Sequence, residues 1–335
     1  MTDAAALTTT IKVGYSLGPL LSAQEVIRCA QLADSQDNVD SVWVPESWGR
    51  ESFSTLGAIA QVTSRVRLGT SIISIFARTP ATVAMGATTL DALSGNRTVV
   101  GLGASTPAIV EGWHGARFDS PLERMREYIE CIRLQTSGEK ASYSGRFYRI
   151  RDFKLLNKPP RTHIPIFVAA VNKRMLSLAA ELADGVLLYL RPLEELKWMV
   201  PGIRQAVGGN GERFEIALSL ICAVSDSEPD KARERAAKTL AFYISVGKFY
   251  SRFLAENGYA DEVARITEEY RARGGDAAAK KVPDAMLDSL VVAGSKKDCV
   301  SALDRFRRAG VTLPILQVNP VADAESSFRE MLSTF

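Results

Sequence analysis

Short runs of β-branched and other apolar residues alternate along the chain with segments in which apolar residues recur every three or four positions. The first pattern is typical of buried strands, and the second of amphipathic helices that cover a parallel sheet. The runs predict eight strands at 11–16, 40–45, 66–75, 98–102, 164–169, 185–190, 214–224 and 313–318. Eight strand–helix units favour an α/β fold of the closed (β/α)8 TIM-barrel type over an open sheet.

Two segments interrupt this alternation. Before the fifth strand, residues 143–153 alternate around Ser144-Gly145, which predicts an inserted hairpin with its turn at that pair. After the seventh strand, residues 228–290 are mixed in charge and aromatic in the middle, which predicts a helical insertion. No shift in composition marks a second domain, so we expect a single domain over 1–335, with 1–10 as a flexible leader.

Composition narrows the possible partners. Of 335 residues, 46% are hydrophobic and 24% are charged, which suits a large buried core and excludes a disordered chain. The net charge is +3 without basic clusters, so we expect no nucleic-acid partner. We expect no membrane association, because no apolar run reaches the roughly 18 residues of a membrane span. Four dispersed cysteines without a C-x-x-C pair favour reduced thiols and a cytoplasmic location.

The chain contains only two histidines, His114 and His163. It has no H-E-x-x-H motif and no grouped ligand residues, so we expect no metal site. A Ser-His-Asp triad would have to use one of these two imidazoles, and no G-x-S-x-G motif supplies the serine. These absences disfavour metalloenzymes and hydrolases.

The predicted strand ends indicate a different chemistry. In a (β/α)8 barrel the reacting groups lie at the carboxyl ends of the strands. Here those ends carry small side chains, exposed backbone and flat aromatic residues, which suit a planar cofactor that supplies the chemistry while the protein positions it. Gly101 and Gly103 match only the start of a dinucleotide fingerprint, because Thr106 stands at the third glycine.

Residues 67–103 (RLGTSIISIFARTPATVAMGATTLDALSGNRTVVGLG) resemble the signature of the bacterial-luciferase-like superfamily of flavin and deazaflavin oxidoreductases. The resemblance continues in 42–46 (VWVPE), 111–115 (EGWHG) and 165–173 (PIFVAAVNK), and it spans roughly residues 11–320. In its compact length and its lack of long loop insertions, the chain resembles the branch of this superfamily that uses coenzyme F420. Methylenetetrahydromethanopterin reductase is typical of that branch.

This resemblance implies hydride transfer between F420 and a small-molecule substrate, by a homodimer or higher homo-oligomer that pairs through helices near the second and third strands. It also implies a non-prolyl cis peptide bond at Ser71-Ile72, behind the deazaflavin ring. The cofactor-binding residues that it implies are Ser71, Ile72, Gly103, Ala104, Ser105, Ala169, Ala170, Val171, Asn172 and Lys173. The last few match a segment beneath the anionic tail, where helix amides can bind phosphate.

Glu46 is the expected catalytic residue, for proton transfer, and an ion pair with Arg50 or Arg78 is its alternative role. Many deazaflavin relatives have Asp-His where this chain has Glu46-Ser47. The expected substrate-binding residues are Ser16, Trp48, Trp113 and His114. Because Ser16 stands where the methylene-tetrahydropterin reductase has a glutamate, the sequence leaves the substrate and the direction of hydride transfer open.

Two other functions stay open on the sequence alone. An FMN-dependent luciferase-like monooxygenase would share the fold, and a barrel without catalytic activity would serve as a cofactor carrier or structural subunit. A deazaflavin lacks the nitrogen that sustains oxygen activation, so the choice between F420 and FMN separates the first alternative from hydride transfer.

Overall fold

The computed structural model describes residues 12–46, 49–208 and 213–335. The strands are β1 Val13–Ser16, β2 Val39–Val44, β3 Arg67–Thr70, β4 Ile73–Ser74, β5 Thr98–Gly103, β6 Ala141–Ser144, β7 Arg149–Phe153, β8 Ile166–Ala169, β9 Gly185–Tyr189, β10 Glu215–Val224, β11 Val291–Gly294 and β12 Leu313–Val318. Within the described ranges, β1, β2, β3, β5, β8, β9, β10 and β12 pair in parallel in chain order, and β12 pairs with β1. The chain therefore forms the closed (β/α)8 barrel that its alternation predicts.

The helices are α1 Ala23–Asp34, α2 Ser52–Ala60, α3 Pro80–Ser94, α4 Pro107–Gly112, α5 Pro121–Thr136, α6 Lys173–Leu182, α7 Leu193–Val207, α8 Pro229–Val246, α9 Lys248–Leu254, α10 Ala260–Arg273, α11 Gly275–Ala279, α12 Asp284–Leu290, α13 Lys296–Arg308 and α14 Ala324–Leu332. Their ends follow local sequence signals. Thr79 caps α3 by accepting a hydrogen bond from the Thr82 amide, Pro80 is the first helical residue, and Gly95 ends the helix with φ of 65°. None of the helices in the described ranges is long and apolar enough to cross a membrane.

The third predicted strand, 66–75, is wrong as one continuous element, because the structure divides it into β3 and β4. Gly69 of β3 lies opposite Val99, and the pairing resumes with Ile73 of β4 opposite Leu102. The four residue steps from Gly69 to Ile73 thus lie opposite only three residue steps along β5, from Val99 to Leu102. The extra residue makes a bulge at the barrel mouth, which re-aims the side chains that it carries.

Within this bulge, the peptide bond between Ser71 and Ile72 is cis. The Thr70 hydroxyl replaces part of the interrupted ladder, because it accepts a hydrogen bond from the Gly101 amide at 2.8 Å and donates one to the Gly101 carbonyl at 2.9 Å. The Ser71 amide donates to the Val44 carbonyl of β2 at 3.0 Å. Both neighbouring strands therefore hold the bulge in place.

Between β10 and β11 the chain forms α8 to α12, with a π-helical turn at Ala255–Tyr259. The sequence did not predict β11, which pairs with the last residues of β10, beyond the part of β10 that pairs with β9. The expected hairpin is β6 and β7, but its turn occupies residues 145–148 rather than Ser144-Gly145. The single-domain assignment over 1–335 stays a prediction, and its leader lies outside the described residues.

Trp43 fills the barrel interior. It is fully buried, its ring nitrogen donates to the Ser41 hydroxyl at 2.8 Å, and its ring lies 5.7 Å from that of Phe167. Two neighbouring strands carry Gly14 and Gly69, where a Cβ would collide with the indole. The glycines therefore make room for one large ring, which closes the centre of the barrel below its mouth.

Candidate active site at the carboxyl ends of the strands

Toward the carboxyl ends of the strands, most residues that face the barrel interior are small, and several are only half-buried. Because strand side chains alternate between faces, a residue two positions beyond an interior one points the same way. Gly14, Gly101, Phe167, Leu187, Ala217 and Ile315 face the interior at the level of the core around Trp43. The residues two positions after them are Ser16, Gly103, Ala169, Tyr189, Ser219 and Gln317. Most are small, and Ala169, Tyr189 and Ser219 are only half-buried although their strands lie within the sheet. This layer therefore leaves a recess at the mouth.

One side of the recess is a small apolar surface formed by Ile72, Gly103 and Ala169, which we call the platform. A Cβ at Gly103 would lie 2.7 Å from the Ile72 side chain and 3.4 Å from the Ala169 Cβ, so only glycine lets Ile72 lie across this position. Ile72 and Ala169 also pack on the core around Trp43. The bulge thus directs one apolar side chain inward, onto a rigid base.

The segment that follows β5 borders the platform. Ala104 and Ser105 are half-buried, and Ser105 has φ of 61°, in the left-handed region that few residues other than glycine adopt. The next residue, Thr106, caps α4 by accepting a hydrogen bond from the Ile109 amide. This backbone turn keeps large side chains away from the platform.

On the adjacent strand, the β8–α6 segment offers polar backbone at the recess. Ala170 is buried, whereas Val171, Asn172 and Lys173 are exposed. The Asn172 side chain caps α6 by accepting a hydrogen bond from the Met175 amide at 3.0 Å. Helix N-termini attract anions because their first amides lack partners within the helix. An exposed lysine at the first helical position adds positive charge there.

Arg191, which follows β9, holds the backbone of the β8–α6 segment in place. Its guanidinium is 2% exposed and donates to the carbonyls of Ala170 and Val171, at 2.8 and 2.7 Å, and to Glu195 at 2.8 Å. Burial lowers the pKa of Arg191 and raises the pKa of Glu195, since both charged forms lose water. The second Glu195 oxygen has no hydrogen-bond partner among the residues that the structure describes.

Both oxygens of Glu46 accept hydrogen bonds, and its assignment to proton transfer stays a prediction. One oxygen accepts from Arg78 Nε at 2.9 Å, and the other accepts from Arg78 Nη2 and from the amide and hydroxyl of Ser52, each at 2.9 Å. Arg78 also pairs with Glu51. The alternative role, an ion pair with Arg78, matches these contacts, because the guanidinium bonds both carboxylate oxygens in a two-point ion pair.

Replacing Glu46 with glutamine is expected to lower the free energy of unfolding by about 1–3 kcal/mol, because charge-assisted hydrogen bonds to Arg78 and Ser52 are lost. Turnover is expected to change less than about threefold, well below the 100-fold or more that general acid–base catalysis typically contributes. Urea unfolding and initial-rate measurements on the same preparation check both values. A hundredfold loss of kcat in a variant of unchanged stability would instead support proton transfer by Glu46.

The other predicted substrate-binding residues do not gather at one point. Ser16 is buried at the end of β1, next to Gln317 of β12 in the barrel. Trp113 and His114 follow α4 and are exposed, with their amides donating to the Ile109 carbonyl. Trp48 lies outside the described residues. Of the three that the structure describes, Ser16 lies in the recess layer.

The second side of the recess is a group that sequence reasoning missed: Tyr189, Gln317 and, from the insertion, Tyr243 and Tyr250. The Tyr189 hydroxyl donates to Gln317 Oε1 at 2.8 Å. Its ring meets those of Tyr243 and Tyr250 edge to face, with centroids 5.1 and 5.4 Å away. The only signal in the sequence was the aromatic middle of the insertion, which carried no indication of its partners. We call this group the tyrosine wall.

The recess fits a flat ring system with a charged tail. The platform is apolar, rigid and free of large side chains, as the face of a planar ring requires, and the tyrosine wall begins on β9, the strand next to β8. Beside the platform, Asn172 and Lys173 begin a helix whose amino end suits an anionic group. Within the described ranges, no three histidine, cysteine or acidic side chains come together as a metal site would require.

Comparisons with known proteins find relatives that match nearly the whole chain. The family model described as luciferase-like monooxygenase matches residues 2–313. A putative coenzyme F420-dependent oxidoreductase of Mycobacterium tuberculosis is 33% identical over 91% of this chain and 94% of its own length. The 5,10-methylenetetrahydromethanopterin reductase of Archaeoglobus fulgidus is 29% identical over 90% and 92%. The F420-dependent tetrahydromethanopterin reductase structure from Methanopyrus kandleri superposes with a TM-score of 0.86, at 20% identity, covering 97% of this chain and 98% of that one.

Proposed function

Because the chain belongs to the luciferase-like monooxygenase family, we propose that it is a coenzyme F420-dependent oxidoreductase that transfers a hydride between the deazaflavin and a small-molecule substrate. The observation that carries this proposal is the 33% identity, over nearly the whole chain, to a putative F420-dependent oxidoreductase. Similarity to 5,10-methylenetetrahydromethanopterin reductase over 90% of the chain supports the same branch of the family. The apolar platform and the cationic helix end beside it suit a deazaflavin ring and its anionic tail.

The proposed cofactor residues have distinct tasks. Ile72 and Gly103 would support one face of the ring, together with Ser71, and Ala104 and Ser105 would border it. Ala169 completes the platform, while Ala170 and Val171 present backbone that Arg191 holds in place. Asn172 and Lys173 would meet the anionic tail. Bound F420 would supply a carbon that donates or accepts a hydride, while the protein orients the substrate and excludes water.

Titration of the cofactor-free protein with F420 and with FMN tests this proposal. We expect F420 to bind with a micromolar Kd and FMN to bind at least about 100-fold more weakly, a difference of roughly 2.7 kcal/mol. Calorimetry gives both constants without an assay of turnover. Tight FMN binding without F420 binding would favour an FMN-dependent luciferase-like monooxygenase, and binding of neither cofactor would remove the redox assignment.

The proposed homo-oligomer would form through α2 and α3. Between these helices lies an open groove of about 530 Å³, lined by residues that include Phe53, Gly57, Met85 and Leu93. Met85 is 47% exposed and Leu93 is 51% exposed. Apolar side chains that share one groove are a common feature of self-association surfaces. A second copy of this chain would cover both.

Replacing Leu93 with lysine is expected to shift the protein toward the monomer, since a charge buried against an apolar partner surface loses its hydration. Light scattering after gel filtration measures the mass over a range of protein concentrations. Leu156→Lys is the matched control, because Leu156 is fully exposed outside this groove. An unchanged oligomer mass in the Leu93 variant would place the interface elsewhere.

A cytoplasmic location is part of the proposal. It is supported by the four cysteines, which are all unpaired and buried. Burial raises the pKa of Cys29, Cys131 and Cys299 to about 12, so these thiols stay protonated near neutral pH. Buried protonated thiols are compatible with a reducing compartment.

A further inference from the structure

The insertion also contributes an aromatic residue to the cofactor side of the recess. The guanidinium carbon of Arg191 lies over the ring of Phe253, a residue of α9, at 4.2 Å from the ring centroid. Phe253 is 9% exposed and the Arg191 side chain is 2% exposed, so water is almost excluded from this contact. A cation over an aromatic face is attracted by the quadrupole of the ring, most strongly where water is excluded. The contact therefore fastens α9 to Arg191.

Arg191 divides its contacts between two parts of the fold. The edge of its guanidinium plane donates to the carbonyls of Ala170 and Val171, at 2.8 and 2.7 Å. The N–H groups of a guanidinium lie in its plane, so these bonds leave the two faces open to packing. Phe253 covers one of those faces. The edge of Arg191 thus holds the β8–α6 segment, while a face of the same group carries the insertion.

Helix α9 depends on such side-chain contacts for its position. It has 7 residues, and a helix of that length is not stable by itself in water. Its neighbours do not continue it, because Gly247 before it has φ of −98° and ψ of 84°, and Gly258 after it has φ of 93°. Its contacts with the barrel side of the recess are the ring of Tyr250, 5.4 Å from that of Tyr189, and the ring of Phe253. Removing one of these contacts is therefore felt at the other end of it.

The backbone that precedes Arg191 is held by the same part of the chain. Leu190 has φ of 51°, in the left-handed region that residues other than glycine rarely adopt. Its side chain is buried in the apolar core of the insertion, a cluster that also contains Phe253 and Leu254. A backbone conformation of this kind costs free energy and persists only where packing holds it. The core of the insertion therefore fixes the turn from which Arg191 reaches the β8–α6 segment.

We propose that Phe253 is a positioning residue for the cofactor, which acts through Arg191 on the segment proposed to meet the anionic tail. This inference rests on the proposed F420-dependent function. With the ring in place, the guanidinium stays dry and its donors stay on the carbonyls of Ala170 and Val171. Without the ring, water reaches the guanidinium and competes for those donors, so the segment spends less time in one conformation. The apparent affinity for the cofactor then falls with the fraction of protein that is competent to bind.

Calorimetric titration of the full-length, cofactor-free protein with F420 tests this proposal. We expect Phe253→Leu, which keeps an apolar side chain but removes the ring face, to raise the Kd for F420 about tenfold. Phe253→Tyr keeps the ring over the guanidinium, so its Kd is expected to stay within about threefold of the value for the unmodified protein. Phe249→Leu is the matched control, because Phe249 lies on the same helix and is 44% exposed, and its Kd is expected to stay unchanged.

A double-mutant cycle separates action through Arg191 from loosened packing. In the paired variant Arg191→Leu with Glu195→Leu, Phe253 has no cation to cover. Adding Phe253→Leu to this pair is expected to raise the Kd by less than about twofold more, because residues that act as one unit have non-additive effects. A packing role without Arg191 predicts a further tenfold loss instead. Titrations extend to millimolar F420, and urea unfolding of each variant shows that the titrated protein is folded.

Thermodynamic linkage gives a second readout, on the unmodified protein. If the contact between Phe253 and Arg191 strengthens F420 binding, bound F420 must stabilise that contact by the same factor. We therefore expect saturating F420 to slow amide hydrogen exchange in residues 248–254 several-fold. In the paired variant Arg191→Leu with Glu195→Leu, saturating F420 is expected to leave this exchange unchanged, because the connection to α9 is missing.

The outcomes distinguish this inference from the proposed function. If the unmodified protein binds F420 and Phe253→Leu keeps its Kd within about twofold, the inference fails while the F420-dependent function stands. An additive loss in the cycle, or an equal loss in Phe253→Tyr and Phe253→Leu, overturns the inference in the same way. If Phe253→Leu does not fold, the exchange measurement on the unmodified protein decides, and unchanged exchange in α9 overturns the inference. If the unmodified protein binds no F420, the proposed function fails, and the inference fails with it.

Discussion

Replacing Arg191 with leucine is expected to weaken F420 binding about 100-fold and to lower the free energy of unfolding by about 3–5 kcal/mol. The guanidinium is buried and holds Glu195 together with the carbonyls of Ala170 and Val171. Its removal leaves a buried carboxylate without a counter-ion and releases the segment beside the platform. Calorimetric titration with F420 and urea unfolding of the cofactor-free protein measure the two effects.

The paired variant Arg191→Leu with Glu195→Leu separates these two effects. Replacing both partners by apolar side chains removes the unpaired charge, so most of the lost stability is expected to return. F420 affinity is expected to stay low, because neither leucine can hold the carbonyls of Ala170 and Val171. Recovery of affinity together with stability would show that Arg191 acts only through the burial of Glu195.

Replacing Trp43 with alanine is expected to lower the free energy of unfolding by about 3–5 kcal/mol, toward the upper end of this range. The cost of such a change depends on how far the surroundings collapse into the cavity. Here Gly14 and Gly69, which line the indole, have no side chains to move inward. The cavity would therefore persist at the centre of the barrel. Urea unfolding of the cofactor-free protein, with the protein concentration held fixed, gives this free-energy difference.

Trp198→Ala provides the matched control for this measurement. Trp198 lies on α7, is 56% exposed, and contacts the ammonium of Lys173, 5.7 Å from its ring. Its loss is expected to cost less than about 1 kcal/mol, as for exposed cation–π contacts. If the free energy of unfolding fell by the same small amount in both tryptophan variants, the interior of the barrel would be able to repack around residue 43.

The barrel could be predicted from the sequence because each of its features has a local cause. Runs of apolar residues gave the strand positions, and the Thr79-Pro80 start and the Gly95 end gave the bounds of α3. The positions of Ser71 and Ile72 came from family resemblance rather than from any physical pattern. Nothing in the periodicity of 66–75 marks a bulge, because the extra residue is visible only when Gly69 is seen to pair with Val99.

The site was less predictable, because its contacts join residues far apart in the chain. Glu46 and Arg78 are separated by 32 residues, and the sequence could offer their pairing only as an alternative to catalysis. Tyr189 and Gln317 are separated by 128 residues and meet because β9 and β12 both pair with β10. Such a pairing follows from closure of the barrel, which a local pattern does not specify. Strand β11 was missed since its four residues follow α12 directly.

The two sides of the recess come from different halves of the chain. The platform and its neighbouring segment lie within residues 71–173, whereas the tyrosine wall lies within residues 189–317 and takes two of its members from the insertion. The chain can therefore change what the insertion presents while the strands that hold the platform stay as they are. Grafting the insertion of a homologue onto this barrel would in that case exchange substrate preference as a module and conserve the cofactor.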